Sequence, residues 1–265
     1  MRKIGINLIR NMEISADDYI KTIAELGFKK TFSGVLENEK EQLRIADFAA
    51  KHSIEFETLH APFKRINNIW FEGEIGEDVL SELKMGLRRC KKVGAKIFVV
   101  HLSSGDNAPT LNDIGMKRFE ELVEHADKNG VMIAFENQRK MGNLAWAIEK
   151  FPSVGFCYDT GHENCYTPGK EFLPLLGDRI VCTHIHDNFG IYNNDLHLIP
   201  FDGNVNYERV ASNLRHWGYK GSLMLELKYK QSERYSLENP YGNLSIEEYL
   251  SRAAESARKL RDMID

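Results

Sequence analysis

Phe156-Cys157-Tyr158-Asp159-Thr160-Gly161-His162 reads as the end of a buried strand followed by two side chains able to grip a cation. Phe156 to Tyr158 is a short apolar run that suits a strand interior. Asp159 and His162 then stand at the strand's exit, with Gly161 between them to allow a tight turn. A carboxylate and an imidazole placed this way can converge on one metal ion. The same arrangement recurs along the chain: an apolar run, then His, Asp or Glu at its C-terminal end.

Working outward from this motif, strands are predicted over residues 4–8, 30–33, 54–59, 96–100, 131–135, 154–158, 180–183 and 223–225. Helices are predicted over 16–26, 37–52, 77–93, 111–129, 144–150, 207–217 and 245–263. Gly27, Gly94 and Gly130 mark helix ends, and Ser245 with Glu248 reads as a capping box. Residues 63–76 and 231–243 read as long loops. Eight strands alternating with helices, and no linker, predict a single (β/α)8 TIM barrel spanning residues 1–265. The length of 265 residues is close to the ~250 typical of that fold.

The net charge is −4, with no long Lys or Arg run, which argues against a nucleic-acid partner. The first residues enter a strand directly and lack the apolar stretch of a signal peptide. No run approaches the ~20 apolar residues that span a bilayer. A cytoplasmic protein with no membrane association is therefore expected. Cys90, Cys157, Cys165 and Cys182 form no CxxC pair. Cys157 and Cys182 alternate onto the inward face of their strands, where small reduced core residues are expected.

In such barrels chemistry sits at the C-terminal ends of the strands. This sequence places His60, His101, Glu136, Asp159, His162, His184 and Glu226 there, with Asp195 and His197 on the loop after the seventh strand. A lone His or Glu after a strand is usually a loop cap. Crowded together without a cation, such groups repel one another or stay unsatisfied. The oxygen and nitrogen donors suit Zn²⁺ or Mn²⁺ first, with Mg²⁺ and Co²⁺ as further candidates. Asn137 and His186 are candidate substrate-orienting groups, and Trp70 and Phe71 candidate substrate-binding walls of the mouth.

These pieces resemble the xylose isomerase-like TIM-barrel superfamily, which holds sugar-phosphate isomerases and epimerases together with endonuclease IV. The matching segments are His60-Ala61-Pro62-Phe63, Val100-His101, Phe135-Glu136-Asn137, Tyr158 to His162, His184 to Asn188, Asp195-Leu196-His197 and Leu225-Glu226. The isomerase and epimerase branch implies one metal held by Glu136, Asp159, His184 and Glu226. There the two glutamates also shuttle protons, and His162 binds substrate oxygens. The endonuclease IV branch implies up to three zinc ions and engages His60, His101, His162, Asp195 and His197 as well. Two departures count against the nuclease: Asn188-Phe189-Gly190 brings no basic residue, and Glu226 is followed by Leu227-Lys228 where the nuclease has Thr-Pro.

The leading expectation is a divalent-metal-dependent isomerase or epimerase of a sugar or sugar phosphate in carbohydrate metabolism, working by proton transfer through an enediolate. A multinuclear zinc phosphoesterase is the alternative, and a barrel that binds sugar without turning it over is the third. The expected partner is a small carbohydrate. Barrels of this kind often self-associate, so a homo-oligomer is also entertained.

Overall fold

The computed structural model describes residues 1–9, 13–230 and 240–265, so residues 231–239 of the second long loop lie outside the described residues. The strands are β1 (Ile4–Asn7), β2 (Lys30–Gly34), β3 (Glu55–His60), β4 (Ile97–Val100), β5 (Met132–Glu136), β6 (Gly155–Asp159), β7 (Ile180–His184) and β8 (Leu223–Leu225). The helices are α1 (Ala16–Glu25), α2 (Glu39–Lys51), α3 (Glu74–Lys92), α4 (Asp113–Asn129), α5 (Met141–Lys150), α6 (Thr160–Tyr166), α7 (Leu173–Leu176), α8 (Tyr207–His216) and α9 (Ile246–Ile264). Neighbouring strands are parallel in the order β7-β6-β5-β4-β3-β2-β1-β8. The remaining seam is bridged just past β7: Ile185 N–H donates to Met224 O at 2.8 Å, and Glu226 N–H donates to Ile185 O at 3.0 Å. The result is a nearly closed (β/α)8 barrel.

Local sequence explains the helices. Ser15, Asn38, Asn112 and Asn206 each accept a backbone N–H at a helix start, which satisfies one of the unpaired donors there. Gly130 ends α4 in the left-handed conformation at φ +67°, where a Cβ would be strained. Ser245 and Glu248 form the expected capping box. The helices turn one apolar face inward; in α9 Leu250, Ala253, Ala254, Ala257 and Leu260 are all buried. The barrel interior is filled by small side chains, among them Val99, Ala134, Cys157 and Cys182, so both thiols are core residues as expected.

Three differences from the sequence reading bear on the site. Helices α6 and α7 fill the segment after β6, where no helix was predicted. The cause is Asp159 itself, whose carboxylate caps α6 by accepting the His162 N–H at 2.6 Å. Gly161 consequently lies inside a helix and not in a tight turn. Trp70 does not wall the mouth. It ends a short 3-10 helix (Ile66–Trp70), is 1% exposed, and donates its indole N–H to Leu102 O at 2.8 Å. Phe71 beside it is 47% exposed. Among the described residues no helix is long and apolar enough to cross a membrane.

The slot for Trp70 exists because residue 115 is glycine: a Cβ there would lie 2.1 Å from the indole. Gly115→Ala is expected to cost about 1–3 kcal/mol through overpacking. Denaturant titration followed by tryptophan fluorescence checks this; a variant as stable as the parent would show that the slot can widen freely.

Candidate metal and active site

The ends of β3 to β8 and the segments that follow them contribute to one polar cluster beneath the mouth. Glu136, at the end of β5, is 2% exposed and lies at its centre. Its Oε2 sits 2.5 Å from His101 Nε2 and 3.2 Å from His60 Nε2, and its Oε1 sits 2.6 Å from His184 Nδ1. Glu226 approaches His184 Nδ1 from the other side at 3.4 Å. Asp159, at the end of β6, reaches His186 Nε2 at 3.0 Å and His162 Nδ1 at 3.6 Å. Asp195 lies 2.8 Å from His197 Nε2, with His162 and His186 both at 3.7 Å.

One donor atom from each of Glu136, Asp159, His184 and Glu226 falls within 4.8 Å of all the others. The same holds for His60, His101 and Glu136, for Asp159, His162 and His186, and for His186, Asp195 and His197. Every predicted metal-ligating residue is therefore brought into the cluster.

The hydrogen bonds behind these residues show what the cluster can hold. His60 Nδ1–H donates to Ala61 O at 2.7 Å and His197 Nδ1–H to Glu226 O at 2.9 Å, while His162 Nδ1 lies 3.1 Å from Asn137 O and 3.0 Å from the Gln138 amide nitrogen. A ring nitrogen that donates to a carbonyl leaves the other with a lone pair when the imidazole is neutral. In the His60 and His197 rings that other nitrogen faces a carboxylate oxygen. Lone pair against carboxylate is repulsive unless a proton or a metal ion lies between them, and a backbone-anchored histidine is the usual arrangement of a metal ligand. The donor set thus fits a divalent cation. His197 reaches its place through a left-handed backbone, φ +50°, a conformation that costs a non-glycine residue of order 1–3 kcal/mol.

Charge points the same way. Burial alone would push the Glu136, Asp195 and Glu226 carboxyls up, but the imidazoles outweigh it. His184 and His101 hold Glu136 well below the usual range, His197 and His162 do the same for Asp195, and His184 and His197 pull Glu226 down to about 2. Burial pushes His101 and His197 down, toward the neutral ligand form. Burial acts the same way on His162 and His184, but there the carboxylates prevail and raise both to about 10.

The structure also redistributes roles. Asn137 faces the backbone: its amide donates to Asp159 O at 2.8 Å and accepts the Asp159 N–H at 2.7 Å, tying the ends of β5 and β6 together. His186 is fully buried and stacks on His197 at 4.0 Å, so it belongs to the cluster's interior. It fits only because residue 161 is glycine: a Cβ there would lie 1.9 Å from the His186 ring.

Three further residues were not singled out from the sequence. Phe32 stacks on His184 at 4.5 Å. Gln138 spans His162 Nδ1 at 3.0 Å and His101 Nε2 at 3.3 Å. Lys228 Nζ lies 4.0 Å from Asp195 Oδ2. Two had a signal: Gln138 directly follows Glu136-Asn137, and Lys228 alternates onto the side of Glu226.

A (β/α)8 barrel carrying a buried carboxylate–imidazole cluster at its mouth defines a class of metal-capable barrels. The chain belongs to the xylose isomerase-like TIM-barrel family, whose model matches residues 20–262. It is 30% identical over 198 residues to the uncharacterised protein y4fM of Sinorhizobium fredii, covering 69% of this chain and 60% of that protein. The chain thus spans about three fifths of that relative's length. Its fold is similar to D-psicose 3-epimerase of Clostridium cellulolyticum, with a TM-score of 0.81, 15% identity and 100% of both chains covered. It is also similar to IolI, solved with a bound zinc atom, with a TM-score of 0.70, 17% identity and 98% of each chain covered.

Two outcomes follow from the geometry. Metal binding at neutral pH is expected to release protons from His162 and His184 and to weaken as pH falls, since protons and metal compete for the same nitrogens. Calorimetric titration in buffers of different ionisation enthalpy measures the release; pH-independent binding without release would contradict it. Gly161→Ala, by displacing His186, is expected to weaken metal binding about 10–100-fold. Unchanged affinity would mean that His186 plays no part in shaping the cluster.

Proposed function

We propose that the protein is a divalent-metal-dependent isomerase or epimerase acting on a sugar or sugar phosphate by proton transfer through an enediolate. The observation that carries this reading is the convergence of Glu136, Asp159, His184 and Glu226 within 4.8 Å, with Glu226 bordering an open cleft. The fold it shares with a sugar epimerase agrees with it. A Zn²⁺ or Mn²⁺ ion held by these four would supply Lewis-acid polarisation of a substrate carbonyl.

The two glutamates are not equivalent. Both oxygens of Glu136 are engaged by imidazoles, whereas the Glu226 side chain is 19% exposed and lines the cleft. Glu226 is therefore the group positioned to remove the proton α to the carbonyl from the cleft side. Glu136, set deeper, returns the proton from the opposite side. Asp159 and His184 hold position, and His162 binds substrate oxygens beside Gln138. Both glutamates are held ionised, as bases must be, and the low proton affinity of Glu226 would be offset by the carbonyl polarisation that a bound metal ion would supply.

A second reading rests on a specific feature, the two additional triads His60–His101–Glu136 and His186–Asp195–His197, which suit a multinuclear phosphoesterase. The net charge of −4 weighs against a DNA substrate. Cleavage of an abasic-site duplex that stops on chelation would favour it.

Glu136→Gln and Glu226→Gln are each expected to reduce exchange of the substrate α-proton with solvent by about 10²–10⁴-fold in a folded protein. NMR of ketoses in deuterated buffer, with circular dichroism as the fold control, measures this. Near-normal exchange in either variant would remove that glutamate from the proton relay.

A further inference from the structure

Among the described residues, one side of the mouth is closed by contacts between two loops. Behind the β6 end, Asp106 on the loop after β4 accepts from Tyr192 Oη at 2.5 Å and from Asn193 Nδ2 at 2.9 Å, both on the loop after β7. Arg139 bridges the same pair, 3.0 Å from Asp106 Oδ1 and 2.7 Å from Asn193 Oδ1. Its guanidinium lies 3.6 Å over the Tyr166 ring, and Tyr166 stacks on His162 at 4.7 Å. The two loops are thus pinned together beside His162.

On the other side a cleft of 620 Å³ runs outward from His60 and Glu226 past β1, β2 and the segment after β3. That volume lies within the ~300–1,000 Å³ that holds drug-sized ligands and exceeds the needs of one sugar ring. Its outer end carries Glu37, Lys64, Arg65 and Glu82, two charges of each sign, and Arg65 is already paired with Glu82 at 3.0 Å. Among the described residues that line it, a phosphate would find no surplus of positive charge. At the boundary between cleft and cluster stands Phe63, 45% exposed, its ring tilted by 30° against His101 at 4.9 Å. An open aromatic face in a cleft that also carries the Glu37, Glu82 and Glu226 carboxylates suits the C–H face and the hydroxyls of a sugar ring.

We infer that the substrate is an uncharged carbohydrate longer than one ring: a keto-sugar joined through a glycosidic bond to a second ring, with the reacting ring at Glu226 and the second on Phe63 in the cleft. This inference rests on the isomerase or epimerase reading. Phe63 and the cleft beyond it are then the specificity determinants, and the pinned loops fix the direction in which the substrate extends.

The test compares the free ketoses fructose and tagatose with the disaccharides lactulose and isomaltulose on the full Mn²⁺-loaded chain. Binding is read by calorimetry and α-proton exchange by NMR. Disaccharides are expected to bind about tenfold more tightly than free ketoses, a difference of about 1.4 kcal/mol. Gly34→Trp fills the cleft at a position where a Cβ meets only His60 O, at 4.0 Å, and is expected to abolish the preference. Phe63→Ala is expected to reduce it about fivefold. Free ketoses bound as well as the disaccharides, or a preference that survives Gly34→Trp, would overturn the inference. Exchange on free ketoses with disaccharides rejected overturns the cleft assignment and leaves the epimerase reading intact. Selective disaccharide binding without exchange does the reverse, and no binding of either class overturns both.

Discussion

Glu136 is a buried carboxylate that faces three imidazoles, and the rest of the site is built around keeping that arrangement tolerable. An ionised group removed from water is costly unless its partners compensate. Here the partners come from β3, β4 and β7, so the compensation exists only when the barrel is assembled. The same holds one layer outward for Asp159 and Asp195, which share His162 and His186. Carboxylates and imidazoles are linked through common neighbours into one network, and a change at one member is felt by the others.

The scaffold meets this demand with backbone contacts more than with side-chain pairs. Asn137 locks β5 to β6, carbonyls of residues 61 and 226 orient the His60 and His197 rings, and Asp159 caps the helix that carries His162. Asp187 does comparable work for the loop after β7, accepting the N–H groups of Asn188, Phe201 and Val205. Groups fixed in this way can point lone pairs at a common centre before any ligand arrives, which is the preorganisation that metal binding and electrostatic catalysis both need.

Much of this was legible in the sequence, for identifiable reasons. An apolar run that ends in His, Asp or Glu carries its own register, so the strand ends at His60, Glu136, Asp159, His184 and Glu226 could be read one at a time. The barrel order then gathered them. What stayed hidden depended on contacts between distant segments. Gly161 looked like a turn residue because nothing nearby reveals that His186 packs against it. Trp70 looked like a mouth residue because the slot that buries it is opened by Gly115, on another helix. Asp159 was read only as a ligand, and its capping of α6 hid that helix. Phe32 touches the site through stacking on His184, which no local pattern announces.

The central claim is that the cluster holds a divalent metal ion. The most direct measurement is elemental mass spectrometry on protein purified without chelator or metal-affinity tag, alongside Asp159→Ala. The account predicts at least one first-row divalent ion or Mg²⁺ per chain, lost in the variant. Two or three zinc ions would extend the site to the flanking triads. Metal-free protein that also fails to take up Zn²⁺, Mn²⁺, Co²⁺ or Mg²⁺ on titration would contradict the account.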